Sequence, residues 1–382
     1  MPIKILYLGT NRIYINNTQQ LFPLGLASIS EITFYGPGYV SDLVLDKGVE
    51  EFIKTRDFTF DFVCTDGMIF FWNEVKGTTA FNISYNYFSF KLLKKSIIDM
   101  QTFFIRYSGK KILYPNVDFQ NITDEEILLL EESNHYLITF GLELLEYKRN
   151  LLELNFESFA KICNDNWIYY IKRNQDMVIS LPHIIGETEF TFHPIEGREF
   201  DISVPGVGYY SRKIINRIIN KKKFKVNNRN TSFYQKLNTF LLRKFTTRTN
   251  LKVFNQIFNN TIEDSKIAYT CGSGLEALVR KFFEIPAKGT VLFCKPFKGF
   301  KEIGFVDGEN CVVVNANNIE EKAKSILSNI KEMERLSRNG QNMVFKNHSF
   351  IARVSQIEIS LNSILKGEFN GSFWDNGDYK LK

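Results

Sequence analysis

The chain has 382 residues, 44% of them apolar and 24% charged, with a formal net charge of +6. That length is generous for one hydrophobic core and comfortable for two, and the composition excludes a disordered or fibrous chain. No apolar run approaches the roughly 18 residues of a membrane span, and the five cysteines (Cys64, Cys163, Cys271, Cys294 and Cys311) lack CxxC spacing, which fits reduced thiols in a cytoplasmic compartment.

Ile3 to Leu8 reads as a first buried strand, ending in Gly9-Thr10-Asn11. It is too short for the apolar core of a signal peptide, and no GxGxxG or P-loop pattern follows it. Ile32 to Tyr35 is a second strand, stopped by Gly36-Pro37-Gly38. Val49 to Arg56 is a short helix, and Phe60 to Thr65 a third strand closing on Asp66-Gly67. Phe81 to Tyr85 (strand), Phe90 to Tyr107 (helix) and Lys111 to Tyr114 (strand) continue the alternation. Thr123, with Glu126 three residues on, forms a capping box for a helix over Asp124 to Glu132. Tyr136 to Phe140 is a strand, Phe156 to Cys163 a helix, and Met177 to Leu181 an apolar run ending at Pro182-His183.

Residues 183–199 are polar and carry Gly186, Pro194 and Gly197, and the domain boundary is expected there. Phe200 to Val204 opens a second α/β unit, followed by the Gly206-Val207-Gly208 turn and a helix over Tyr209 to Asn220. Lys223 to Val226 reads as a strand, and Phe233 to Lys244 and Val253 to Phe258 as helices. Then Ile267 to Cys271 is a strand, Gly272-Ser273-Gly274 a turn, Leu275 to Glu284 an amphipathic helix, Thr290 to Cys294 a strand and Val312 to Val314 another. Ile319 to Asn347 is helical with a break at Gly340, Phe350 to Leu365 is the last helix, and Glu368 to Lys382 is expected to be loose. Strands buried on both faces and joined by helices make an α/β protein of two doubly wound halves. Two glycine turns, at Gly206/Gly208 and at Gly272 to Gly274, sit at C-terminal strand ends and open helices. There, free N–H groups and the helix dipole favour an anion such as a diphosphate, and Arg212 and Lys213 offset its charge.

The helix after the second turn carries Glu276 and Glu284, two turns and about 80° apart on an ideal helix. This E-x7-E spacing resembles the donor-site helix of GT-B glycosyltransferases. The longer pattern runs through Arg280, Glu284, Ile285, Pro286, Ala287 and Gly289, then Phe305, Asp307, Gly308, Glu309 and Asn310, then His348, Ser349 and Arg353. It is similar to the spore-maturation-type subset of that superfamily, across roughly residues 196–366. The resemblance implies a GT-B fold. Residues 1–190 would form an acceptor-side Rossmann-like domain and 196–350 a nucleotide-sugar donor domain. A helix over 350–366 would cross back to the first domain, and 367–382 would be a flexible tail.

On that resemblance Glu284 accepts the hydroxyls of the donor's ribose, and Glu276 either approaches the donor sugar or merely stabilises its helix end. Arg280 could pair with Glu284 or with the pyrophosphate. Gly206, Gly208, Arg212, Lys213, Lys266, Ser273 and Gly274 complete the donor-side set. His183, after a buried strand at the boundary, is expected to face the interdomain cleft and to bind donor phosphate or sugar, act as a base, or serve as a hinge histidine. His135, His193 and His348 are expected to be structural. Asp66, at a strand end, is the first domain's candidate base for the acceptor hydroxyl, or else a turn residue before Gly67.

The resulting expectation is a metal-independent transferase moving a sugar from a nucleotide-sugar donor to a glycan, lipid-linked or protein acceptor, in cell-surface glycan or glycoconjugate synthesis. No cofactor is expected: four histidines match no metal spacing, and no D-x-D motif lies in a strand context. Helix N-termini and cations would stabilise the leaving diphosphate instead. A nucleotide-sugar epimerase of the same architecture and a non-catalytic nucleotide- or sugar-binding protein are the rival readings. The basic cluster from Lys221 to Arg248, interleaved with Phe224, Phe233, Phe240 and Phe245, is either a solvated face or a peripheral contact with an anionic inner membrane surface. A nucleic-acid polymer is not an expected partner.

Overall fold

The computed structural model describes residues 2–11, 21–56, 59–66, 90–114, 122–141, 165–206, 210–227, 248–272 and 277–382. In the first half, β1 (Ile3–Leu8), β2 (Ser30–Tyr35), β3 (Phe62–Asp66), β4 (Lys110–Tyr114), β5 (Tyr136–Thr139) and β6 (Val178–Ser180) form a six-stranded sheet. Its order is β2-β1-β3-β4-β5-β6 and every pairing is parallel. The helices are α1 (Leu21–Ile29), α2 (Asp42–Lys47), α3 (Val49–Lys54), α4 (Phe90–Arg106), α5 (Asp124–Ser133) and α6 (Asp165–Arg173). Side chains alternate through the sheet. Leu6, Leu8, Val63, Leu113 and Leu137 pack against α4, α5 and α6 on one face. Ile5, Tyr7, Cys64, Ile112 and Ile138 pack on the other. Both faces are covered, as a parallel sheet requires.

The second sheet is five-stranded and parallel, in the order β11-β10-β9-β7-β8. Its strands are β7 (Phe200–Ser203), β8 (Val226–Asn227), β9 (Ser265–Thr270), β10 (Val291–Cys294) and β11 (Val312–Val313). Helices α7 (Tyr210–Lys221), α8 (Arg248–Glu263), α9 (Lys281–Ala287), α10 (Ile319–Leu327) and α11 (Ile330–His348) accompany it. The fold is α/β, two doubly wound domains facing a cleft. The last helix, α12 (Phe350–Lys366), leaves the second domain and buries Ile357, Leu361 and Ile364 with Ile5, Tyr7, Phe22 and Leu26 of the first. Gly25 lets α1 approach it: an added Cβ would already touch Val354 at 3.4 Å.

Three expectations change. The helix expected over Leu275 to Glu284 begins only at Lys281, after a turn at Arg280, and runs to Ala287 with Pro286 inside it. The break in the long C-terminal helix falls at Ser328–Asn329, where the Asn329 side chain caps α11 by accepting from the Glu332 N–H at 3.1 Å. Gly340 lies inside α11, at a point where a Cβ would come within 2.8 Å of the Asn310 carbonyl oxygen. The expected strand over 81–85 and the helices over 156–163 and 233–244 lie outside the described residues.

The tail is not loose. It folds into an antiparallel hairpin, β12 (Ser372–Asp375) and β13 (Asp378–Leu381). Asn376 and Gly377 both take positive φ, +50° and +88°, at the two central positions of a tight hairpin turn. The hairpin bridges the domains. Ser372 Oγ accepts from the Ser180 N–H at 2.8 Å, Trp374 Nε1 donates to the Ser180 carbonyl at 2.9 Å, and the Gly377 N–H donates to Glu302 of the second domain at 2.8 Å. Trp374 is 4% exposed. Trp374→Ala is therefore expected to remove about 3–5 kcal/mol of stability. Urea unfolding followed by circular dichroism checks this, and an unchanged midpoint would mean that the hairpin is held without its tryptophan.

Candidate active site

In each sheet the strand order reverses once, between β1 and β3 in the first and between β7 and β9 in the second. Ligands of such sheets bind beyond the C-terminal strand ends at that reversal. In the second domain the backbone leaves β7 through Gly206, whose φ is +92°. The angle favours glycine, and the close side chains are Lys281, whose Cε would lie 2.4 Å from an added Cβ, and Arg212, whose Nη1 would lie at 3.4 Å. Arg212, on the first turn of α7, is 1% exposed. Its Nη2 donates to Thr270 Oγ1 at 2.9 Å and to the Cys271 carbonyl at 3.2 Å, tying the β7 exit to the end of β9. Lys281 opens α9, with its Nζ 5.8 Å from the Phe258 ring centre. Burial, and then the charge of Arg212, lower its amine to about 8.

Lys281 was not among the sequence candidates. It lies inside a run that reads as one amphipathic helix, where a lysine looks like an exposed residue. Two candidates fall away from this point. Lys213 is exposed beside the buried Arg212, since neighbouring helix residues are about 100° apart. Lys266 is at the opposite, N-terminal end of β9, 3.5 Å from Asp201. Gly208, Ser273, Gly274 and Glu276 lie outside the described residues.

Arg280 and Glu284 form the i,i+4 pair that their spacing allows, but off the surface: each side chain is 16% exposed. Nη1 of Arg280 donates to Glu284 Oε1. Its Nη2 reaches both Glu189 oxygens, at 2.6 and 2.8 Å, and the Ile184 carbonyl at 3.0 Å. Burial alone would lower this guanidinium's pKa, but Glu284 and Glu189 outweigh it and raise the pKa above the ordinary value. Glu284 lies in the first turn of α9 rather than at the far end of a longer helix.

Across the cleft, Asp66 ends β3 and is buried. A Cβ on Gly9 would lie 2.9 Å from Asp66 Oδ2, so the carboxylate sits against the β1 exit at the first sheet's reversal. Tyr114 is its register partner on β4. The Tyr114 ring stacks on Phe22 at 3.9 Å and meets Phe140 edge-on. Burial raises its phenol; Arg280 opposes that shift and Asp66 adds to it. His183 stacks on Phe140, with centroids 4.9 Å apart and planes 12° apart. Burial, then Arg280, Arg353 and Lys281, push His183 down to about 3, so its imidazole is neutral at physiological pH. A group that holds a proton so weakly suits hydrogen bonding better than proton abstraction. Tyr114 was also missed: a tyrosine ending a buried strand reads as core.

The remaining histidines have structural surroundings. His135 Nδ1 meets Ser133 Oγ at 2.5 Å, the exposed His193 offers its carbonyl to Arg198 at 3.1 Å, and His348 is buried. In the basic cluster, Lys222 pairs with Glu320 and Lys225 lies 3.5 Å from Glu199, while Phe224 packs against the second domain's core. Phe233, Phe240 and Phe245 lie outside the described residues. No helix among the described residues is long and apolar enough to cross a membrane.

Residues 190–359 match the family model described as glycosyl transferase-like. No curated protein matches the chain. Among solved structures, sucrose-phosphate synthase from Thermosynechococcus elongatus is 9% identical, with a TM-score of 0.50, over 96% of this chain and 100% of that one. HepE from Anabaena, in complex with UDP-glucose, is 9% identical with a TM-score of 0.48, over 94% and 100%. The lipopolysaccharide outer core galactosyltransferase WaaB is 10% identical with a TM-score of 0.46, over 96% and 100%. At these identities the likeness is one of fold. Residues 190–359 thus resemble the glycosyl transferase-like family, and with the first domain they complete a two-domain fold of the GT-B kind.

Proposed function

We propose that the chain transfers a sugar from a nucleoside-diphosphate sugar, held at the reversal of the second sheet, to a hydroxyl of an acceptor presented at the first. The observation that carries this is the convergence of Gly206, Arg212 and Lys281 at one strand-end crevice, with Glu284 one helical turn beyond Lys281. The glycine turn admits a diphosphate to the backbone, and the two cations face it. Glu284, hydrogen-bonded by Arg280, is the acceptor for the ribose hydroxyls.

In the transfer, the bond from the anomeric carbon to the diphosphate oxygen breaks and a bond to the acceptor oxygen forms. Arg212 and Lys281 offset the charge that grows on the leaving diphosphate, the point where transition-state stabilisation is most effective. Asp66, at the opposite sheet edge, is the group placed to take the acceptor's proton. His183 is a neutral hydrogen-bonding partner for the sugar or its acceptor. Ser273, Gly274 and Glu276 lie in sequence between β9 and α9 and are assigned to the donor side with them. A glycan, a lipid-linked saccharide or a protein side chain each offers the required hydroxyl.

Calorimetric titration with a panel of nucleoside diphosphates tests the donor site. Arg212→Gln and Lys281→Gln are each expected to lose about 1.5–3 kcal/mol of diphosphate affinity, while a nucleoside without phosphates binds them as it binds the native protein. Equal affinity for a nucleoside diphosphate in native and variant proteins would remove the proposal. Lys281 adds a pH dependence. Its ammonium is present below about 8 and lost above it, so affinity should fall as pH rises through and beyond that value. A bound anion moves the loss upward, because it favours the charged amine. Lys281→Gln should flatten this profile.

Two further outcomes are expected. Because cations of the chain are assigned to the leaving group, transfer from a nucleotide sugar to an extract-derived acceptor pool should survive excess EDTA; loss restored by Mg²⁺ or Mn²⁺ would show that a metal shares that work. In proton NMR the His183 ring resonances should not titrate between pH 5 and 8, about two units or more above its lowered pKa. A midpoint near the ordinary histidine value would place the ring in water.

A further inference from the structure

Arg280 does more than an exposed i,i+4 partner of Glu284 would do. It stands between two carboxylates from different parts of the chain, Glu284 on α9 and Glu189 on the segment joining the two sheets. It also donates to the Ile184 carbonyl on that segment, at 3.0 Å. Glu189 is itself fixed, because its Oε1 accepts from the Gly186 N–H at 2.8 Å. The guanidinium is therefore anchored by the interdomain segment, and Glu284 is anchored by the guanidinium. The fork holds Oε1 of Glu284; Oε2 is the oxygen it does not hold.

We infer that Arg280 is a positioning residue, which orients the Glu284 carboxylate toward the donor's ribose from a fixed point on the interdomain segment 184–189. The inference rests on the proposed ribose role of Glu284. It gives Arg280 a task distinct from binding pyrophosphate, since its Nη1 and Nη2 are both engaged by Glu284, Glu189 and Ile184. A planar fork with fixed angles can hold two carboxylates and a carbonyl at once; an ammonium is a point charge on a flexible stem and sets no such angle. Charge alone is thus not sufficient, and lysine is the informative replacement.

The readout is ribose discrimination, which a merely structural role would not move. The tightest binder among UDP, GDP, ADP and CDP is compared with its 2′,3′-dideoxy counterpart by calorimetry on the full chain. The native protein is expected to prefer the ribose form by about tenfold or more, the worth of a charged hydrogen-bond acceptor. Arg280→Lys should cut the preference to about threefold or less while leaving affinity for the dideoxy form nearly unchanged. A folded Arg280→Lys protein with the full preference overturns the inference. Glu284→Gln separates the two levels. If it abolishes the preference and Arg280→Lys does not, Glu284 keeps its ribose role and Arg280 loses its own. If it leaves the preference intact, the ribose role fails, and the inference with it. Should Arg280→Lys not fold, Glu189→Gln decides. It keeps the Arg280–Glu284 pair and loosens only the anchor, so a reduced preference supports the inference and a full one overturns it.

Discussion

Arg353 is a cation with no exposure to water, and its contacts are to neutral acceptors. It donates to the Pro182 carbonyl at 2.8 Å, the Asn347 carbonyl at 3.1 Å, the Gln356 side chain and His348 Nδ1 at 2.5 Å, with the Trp374 ring centre 5.0 Å away. Stripping partners from a buried charge costs several kcal/mol, so the elements that supply them are bound to stay together. They are the exit of β6, the end of α11, the crossover helix α12 and the C-terminal hairpin. His348 must be neutral for this to work: Nδ1 accepts from Arg353 while Nε2 donates to the Ile303 carbonyl at 2.8 Å. Burial and the charge of Arg353 itself hold its pKa well below the ordinary value. His348, Ser349 and Arg353 thus have an architectural explanation, with Ser349 capping α12 between the other two.

The same stretch of chain carries the second buried arginine. Arg353 holds the Pro182 carbonyl and Arg280 the Ile184 carbonyl. Between these, Ile185 bonds through both its backbone groups to His348 and Phe350. Residues 182–186 are therefore fixed to the second domain and the crossover helix, although they continue directly from the first sheet. A rotation of one sheet against the other that keeps these bonds has to pivot there. His183 and Glu189 lie in or beside this segment, so the histidine stacked on Phe140 and the carboxylate holding Arg280 both sit close to the pivot.

Much of this architecture was legible in the sequence. The buried strands were, because a strand covered on both faces has to be a short apolar run, as Ile3–Leu8 and Val291–Cys294 are. So was the capping box at Thr123, where both reciprocal bonds are present. The misplaced start of α9 has a physical cause. Leu278, Phe282 and Phe283 are buried in one core, and a turn leading into a helix satisfies that spacing as well as a continuous helix does. The tail was misjudged by composition, although its local chemistry was plain: Asn376-Gly377 between Trp374 and Tyr379 is a hairpin turn between aromatic strands. Lys281, Tyr114 and Glu189 could not be read as site residues, because each joins the cleft through contacts made by distant segments.

The cleft is electrically lopsided, and that follows from which groups the fold can neutralise internally. On the second domain's side, Arg280 is balanced by Glu284 and Glu189, and Arg212 donates to the Thr270 hydroxyl and the Cys271 carbonyl. Lys281 is lowered by burial and by that same Arg212 charge, which outweigh the opposing pull of Glu284. An anion placed beside Gly206 would oppose both effects and favour the ammonium of Lys281. The first domain's side offers instead a carboxylate at Asp66, a phenol at Tyr114 and a neutral imidazole at His183, none of them a cation. One face thus gains from negative charge and the other does not, which is the asymmetry that the proposed transfer from an anionic donor to a hydroxyl would use.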